Sequence, residues 1–315
     1  MPIDVVVIGG GPAGLSAALM LGRCRRSVLV CDDARPRNRV SHALHGYLSR
    51  DGTPPAELVR IGRDEAEGYG VEHRHARVLR VERVGREFLA HVESGAPVAA
   101  RKVLIASGVE DHLPDIPGFE ACYGRSVFHC PYCDGWEWRD RRLAVYGRGM
   151  AGAALSLSLQ TWSRDVVLLG DGAPRVPEAA APRLAERGID VRGNHVQSLD
   201  HRDGMVEAVV FEDGSRVERD AIFFTTGQHQ QATLARDLGC EISRKGTVRT
   251  DRFGQTCVEG VFVVGDASRD VQFVVVAAAE GAKAAVAINQ QFQAEDGLVV
   301  PGLTLPTTWP PNPPS

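Results

Sequence analysis

The feature that most constrains this chain is a strand that runs straight into a glycine turn and a helix, written twice. The first copy begins with Asp4–Ile8, a β-branched run of the kind buried on both faces of a parallel sheet. Gly9, Gly11 and Gly14 follow in G-x-G-x-x-G spacing, with Pro12 and Ala13 inside the same turn, and Leu15–Leu21 is rich in helix formers. A second strand, Ser27–Cys31, ends in Asp32. The first glycine permits the turn, the second lets backbone approach a pyrophosphate, and the third lets helix and strand pack closely. Free N–H groups at the helix N-terminus suit phosphate oxygens. Asp32 falls at the distance, roughly 20 residues, expected of an acid that binds a ribose. A glycine turn with no ligand is the alternative.

The second copy is Leu143–Tyr146, the turn Gly147, Gly149 and Gly152, a helical stretch Ala153–Trp162 and a strand Val166–Leu169. A chain of 315 residues has room for about two domains, and two βαβ units this far apart predict two dinucleotide-type folds. Lys102–Gly108 and Asp220–Gly227 each read as a strand closing on small residues and glycine, suited to a backbone that leaves a domain or passes close to a ligand. Gly260–Asp266 is a last strand whose tip carries Gly265 and Asp266. Asp266 can face a polyol or cap the next turn through Ser268. Ala277–Gln290 predicts a helix, and Pro301–Ser315 a proline-rich extended tail.

Composition closes other routes. Lys+Arg number 36 against 40 Asp+Glu, a net charge of −4, which offers no basic footprint for nucleic acid or an anionic membrane. No apolar run approaches the roughly 18 residues of a spanning helix, and Ile3–Ile8 has no charged leader before it. The expectation is a soluble cytoplasmic enzyme without a metal. Seven cysteines are too few and scattered for a secreted disulfide scaffold. Cys130 and Cys133, in His129-Cys-Pro-Tyr-Cys-Asp-Gly135, differ from the rest. C-x-x-C allows a small disulfide, proline pre-sets its turn, and such pairs commonly carry one sulfur with a lowered thiolate pKa. Asp134 can shuttle the proton that thiol–disulfide exchange moves. Zinc would need two further ligands at matching spacing; a static bridge is the other alternative. Cys24, Cys31, Cys122, Cys240 and Cys257 are expected as small buried hydrophobes.

In this order, the Gly9–Gly14 turn, C-P-Y-C-D-G, a second glycine turn and Gly265–Asp266 before an Ala-rich helix resemble the low-molecular-weight thioredoxin reductase-like flavoproteins over residues 1–295. The resemblance implies an α/β fold of two Rossmann-like, three-layer ββα domains, the second inserted in the first. FAD would occupy a domain built from 1–115 and 246–315, and residues 116–245 would carry the redox pair. Cys133 would lie beside the flavin, Cys130 would attack substrate, and Asp134 would be the acid–base. A homodimer is implied, as is rotation of the inserted domain in the reductases, where NADPH and the dithiol take turns at the flavin.

The nicotinamide site departs from the reductases. They carry a basic cluster after the second strand of the inserted domain, whereas here the residues are Gly170-Asp-Gly-Ala-Pro-Arg175, with Asp171 nearest and Arg175 the lone cation. Arg148 also occupies the glycine turn. An NAD(P)H site is therefore in question, and the chain looks more like the family's dithiol oxidases, which close disulfides in small natural products and pass electrons to O2. Asp134 points the other way, toward the NAD(P)H-dependent reductases; a non-catalytic flavin redox sensor is a reading of another class. The expected substrate is a small-molecule or peptide dithiol.

Further candidates surround the cofactor. Arg37, in the run Arg35–Arg39, is expected at an ion pair or an FAD phosphate, and Gln272 or Phe273 against the flavin. His42 and His45 lie in a loop that approaches the flavin, as bases or as hydrogen-bonding residues. His129 either depresses the Cys130 thiolate pKa or is simply packed or solvent-exposed. Trp136, Trp138 and Trp162 line a substrate cleft or belong to the core.

Overall fold

The structure, a computed structural model, describes residues 1–172, 176–231, 233–268 and 271–298. Arg175 and the tail Pro301–Ser315 lie outside them. The chain opens as β1 (Ile3–Ile8), α1 (Pro12–Arg23) and β2 (Val28–Asp32), with the two strands parallel. Helix α2 (Pro55–Glu67) leads to β3 (Glu72–His75) on the outer edge of β2. An antiparallel ribbon of β4 (Val78–Val84) and β5 (Glu87–Val92) turns into β6 (Val98–Ile105), which lies parallel to β1 on its other side. The β-branched start of the chain is a central strand because both its faces find apolar cover. Val5 and Val7 belong to one core cluster and Val6 and Ile8 to the other, the period-two alternation of a strand between two layers.

The chain leaves this sheet through β7 (Val109–Asp111) and repeats the plan. After α3 (Phe119–Cys122), β8 (Val127–Phe128) and α4 (Pro131–Asp134) come β9 (Leu143–Tyr146), α5 (Gly149–Leu159) and β10 (Val166–Leu169). Then follow α6 (Ala181–Glu186), β11 (Asp190–Arg192), the antiparallel trio β12 (Val196–Arg202), β13 (Met205–Phe211) and β14 (Arg216–Glu218), and β15 (Ala221–Phe224). The second sheet is parallel, ordered β11-β10-β9-β15-β8.

The chain returns through β16 (Gln228–Gln230), antiparallel to β7, so the outgoing and incoming crossings are stitched side by side. The return is earlier than the expected residue 246. Leu234 and Ala235 of α7 (Leu234–Asp237), with Cys240, already pack into the first core, because their apolar side chains are covered there. Strand β17 (Val261–Val263) joins the upper half of β6, Gly265–Ala267 makes one 3₁₀ turn, and α8 (Val274–Glu295) lies on α1. A Cβ on Gly281 would stand 2.0 Å from the Ala13 carbonyl oxygen, so the two helices meet backbone to backbone. Among the described residues no helix is long and apolar enough to cross a membrane.

Candidate active site

The carboxyl ends of β1, β2 and β17 open onto a cavity of about 660 Å³, within the range of small-ligand sites, roughly 300–1,000 Å³. Two of the three glycines that begin it are fixed by packing. A Cβ on Gly9, whose φ is +104°, would lie 2.4 Å from the Ala106 carbonyl oxygen, and one on Gly14 would lie 1.9 Å from that of Gly9. Gly11 has nothing within 4 Å of its missing Cβ, so its bare backbone faces open space where a ligand can approach. Pro12 takes the first position of α1, where a missing N–H costs nothing, and Ala13 follows on the cavity wall. Asp32 ends β2 beside the turn, with its carboxyl 2.9 Å from where a Gly10 Cβ would be.

At the other end, Gly265 and Asp266 line the same cavity with Gln272 and Phe273. Arg37 organises this wall. It donates to Asp111, to Asp266 Oδ2 at 3.3 Å, to Gln272 Oε1 at 2.6 Å and to Gln228 Oε1 at 3.1 Å. Its side chain is 13% exposed and that of Asp111 is 4%. Burial works to raise Asp111, but Arg37, His129 and the Tyr123 hydroxyl outweigh it and hold the carboxyl low. Burial raises Asp266, with Arg37 opposing. The Gln272 Nε2 and the Ser107 hydroxyl, both on cavity-lining residues, are buried without a protein partner. An open glycine cradle, an acid at the end of the second strand and orphaned donors fit FAD, whose pyrophosphate, ribose hydroxyls and polar ring edge need such groups.

The redox pair reaches this cavity from the inserted domain. Cys130 and Cys133 form a disulfide with Cα atoms 5.3 Å apart. Cys130 caps α4, and its sulfur accepts the Cys133 N–H at 3.2 Å. Cys133 and Asp134 line the cavity. Burial and the Glu137 carboxylate push Asp134 up to about 7, with His45 pulling the other way. His45 sits between two carboxylates, 3.6 Å from Asp51 and 3.6 Å from Glu137. Tyr132, between the cysteines and 70% exposed, packs edge-on against Trp162 of its own domain and Phe273 of the other.

Several expectations are corrected. His42 is exposed and off the cavity. Burial and the Arg37 charge press His129 down to about 4, so near neutral pH it is uncharged and does not depress the Cys130 thiolate by charge. Cys24 and Cys257 are exposed, while Cys31, Cys122 and Cys240 are buried. Trp138 packs into the core of the inserted domain against Phe128, whereas Trp136 stands 64% exposed with Arg139 stacked on it. Asp111, Tyr123, Gln228 and Glu137 belong to no motif; a partly buried arginine in need of counter-charges is the only signal that leads to the first three.

The second glycine turn is built differently from the first. Gly152 packs on Gly147, where a Cβ would lie 2.7 Å from the carbonyl, and Gly149 has a φ of +58°. Arg148, between them, donates to the Asp171 carboxylate at 2.9 Å and to its carbonyl at 2.8 Å. The Tyr146 hydroxyl donates to the same carboxylate at 2.7 Å, and so does the Val196 N–H at 3.0 Å. Burial tends to raise Asp171, but these partners hold it low.

A family model of pyridine nucleotide-disulphide oxidoreductases matches residues 3–281. Thioredoxin reductase tcpT of Claviceps purpurea is 32% identical over 287 residues, covering 84% of this chain and 86% of that one. The crystal structure of HlmI superposes with a TM-score of 0.91 at 38% identity over 94% of each chain. Lactococcus lactis thioredoxin reductase in its FR conformation, 26% identical and covering 93% of this chain and 99% of its own, reaches only 0.61. The chain as a whole thus superposes more closely on HlmI than on that conformation. The chain belongs to the pyridine nucleotide-disulphide oxidoreductase family, among its thioredoxin reductase-like flavoproteins.

Proposed function

We propose that this FAD-dependent disulfide oxidoreductase oxidises a dithiol on a small molecule or peptide to an intramolecular disulfide, with O2 as the electron acceptor. The observation that carries the direction is the second glycine turn. There Arg148 lies over the end of β10, and the acid that would receive ribose hydroxyls is engaged by Arg148, Tyr146 and the Val196 N–H. Asp171 also brings negative charge to where a 2′-phosphate would be gripped, which disfavours NADPH. Electrons then come from the substrate dithiol.

The residues take the following parts. Gly9, Gly11 and Gly14, with Pro12 and Ala13, hold the FAD pyrophosphate, and Asp32 the ribose. Gly265, Asp266, Gln272, Phe273, Arg37 and His45 form the flavin end. Bound FAD supplies a two-electron acceptor beside Cys133. A substrate thiolate attacks the Cys130 sulfur, the Cys130–Cys133 bond breaks, and Cys133 leaves as a thiolate. The second substrate thiolate then attacks the substrate sulfur of the mixed disulfide. Cys130 leaves, its thiolate steadied by the Cys133 N–H, and the cyclic disulfide departs. Asp134, at about 7, takes up and returns protons in both exchanges. Two electrons and two protons pass overall from the dithiol to O2, giving one disulfide and one H2O2.

A reductase running this exchange backward from NAD(P)H is the second reading. It is favoured by Asp134, the acid the resemblance associates with reductases, and by the names of relatives such as tcpT. Aerobic turnover with dithiothreitol separates the two. The oxidase gives one H2O2 per disulfide with no nicotinamide added, and Cys130→Ser or Cys133→Ser lowers the rate by about a thousandfold or more. Turnover that requires NADPH, or a serine variant that keeps its rate, contradicts the reading.

A further inference from the structure

We propose that His45 and Glu137 are a pair of positioning residues that hold the Asp134 carboxyl poised between its two charge states, and that the poise exists only while the two domains are docked. The inference deepens the role given above to Asp134 and rests on that reading of the redox pair; it holds for thiol–disulfide exchange in either direction.

The three groups arrive from different places. Asp134 ends α4 and lines the cavity, and Glu137 follows it by three residues on the same inserted-domain segment. His45 comes from the other domain, on the loop between Arg37–Val40 and α2, and lines the cavity too. Its Nε2 lies 3.6 Å from Glu137 Oε1, a contact across the domain boundary, and its Nδ1 lies 3.6 Å from Asp51 Oδ1 on its own loop. The His45 and Glu137 side chains are 25% and 38% exposed, so the pair is neither sealed nor free in water. Asp51, at 70%, opens the far side of the imidazole to solvent.

The charges that bear on Asp134 pull in opposite directions. Glu137, from its own segment, makes the ionised carboxyl less favourable; His45, from the facing loop, makes it more favourable. Of the other titratable groups at this end of the cleft, Arg37 is paired with Asp111 and Asp266, the Tyr123 hydroxyl donates to Asp111, and the uncharged His129 ring lies 3.7 Å from Asp111. Burial and Glu137 favour the protonated carboxyl, and a charged imidazole at His45 opposes them, so that Asp134 stands at about 7, where it can both take and give a proton, as two successive thiol exchanges require. Because that imidazole belongs to the flavin domain, moving the inserted domain away removes it. The carboxyl would then be poised only in the arrangement that places Cys133 on the cavity.

The test follows the protonated Asp134 C=O infrared band of the FAD-loaded enzyme across the neutral range, the band being assigned by its loss in Asp134→Asn. Glu137→Gln is expected to move the titration midpoint down, and His45→Gln to move it up, each by about one pH unit. The double variant returns toward wild type. A purely structural role for either residue would move neither midpoint, so midpoints that stay put, or that move the same way, overturn the proposal. If His45→Gln fails to retain FAD, Glu137→Gln decides alone: a fall supports the proposal, and no change or a rise overturns it. Anaerobic flavin reduction by dithiothreitol is measured on the same samples. A wild type that dithiothreitol does not reduce sinks the proposed function while the infrared titration still decides this inference.

Discussion

At Arg37 one guanidinium reaches two carboxylates, Asp111 and Asp266, and two side-chain amides, Gln272 and Gln228, each far from it in the chain. A buried pair of this kind stabilises little when intact, but removing one partner leaves the other charge stranded. Arg37→Met is therefore expected to cost about 3–5 kcal/mol and to release FAD, read by thermal unfolding and by bound-flavin absorbance. Asp111 adds a pH signature. Its folded value lies below the ordinary carboxylate value of about 3.9, so its contribution is complete above that pH and disappears as the pH falls through the lower folded value. Asp111→Asn should therefore be less stable near neutrality and lose less of its stability in acid; an unchanged acid limb would contradict this. At this scale the Cys130–Cys133 bridge and the carboxyl beside it were legible because these residues adjoin in the sequence. The Arg37 partners were not, since Asp111, Tyr123 and Gln228 are brought to it by the fold and by no spacing in the chain.

The glycine turns show what an element needs from each position. A methyl on Gly14 would collide with the Gly9 carbonyl, forcing α1 away from β1, whereas one on Gly11 meets no protein atom within 4 Å. Gly14→Ala is expected to destabilise the fold by about 1–3 kcal/mol. Gly11→Ala should keep the stability of the FAD-free protein yet lose FAD, because its methyl takes ligand space. Equal unfolding losses in both variants would contradict this division of labour. Gly281→Ala, at the contact of α8 with α1, should resemble Gly14→Ala, since its methyl would stand 2.0 Å from the Ala13 carbonyl oxygen. The strand–turn–helix units were plain in sequence because glycine spacing and β-branched runs are local. Element ends were less so: α8 spans Val274–Glu295, longer than the Ala-rich stretch suggested. Helix α7 has four residues and too short a period to show that it packs on the first core.

For the whole molecule the decisive relation is the seating of the inserted domain on the flavin domain, which puts Cys133 at the cavity. Gly124, with a φ of +77°, lies against Val40 across that boundary; a Cβ there would come 2.4 Å from Val40 Cγ2. Gly124→Ala should keep FAD, because no part of the cradle changes, but slow anaerobic flavin reduction by a dithiol at least about tenfold, as small misplacements at reacting atoms do. A normal rate would mean that this contact does not set the seating. That there are two dinucleotide folds was legible from the repeated turn; how they face one another was not, because Val40, Gly124, Tyr132 and Phe273 carry no mutual spacing. The proposed direction of the reaction rests on the Arg148–Asp171 contact at the second turn. Its most direct test mixes the oxidised flavoprotein anaerobically with dithiothreitol, NADPH or NADH and follows the flavin absorbance. Dithiol oxidation requires bleaching by the dithiol and none by either nicotinamide; rapid bleaching by NADPH, or none by the dithiol, would overturn it.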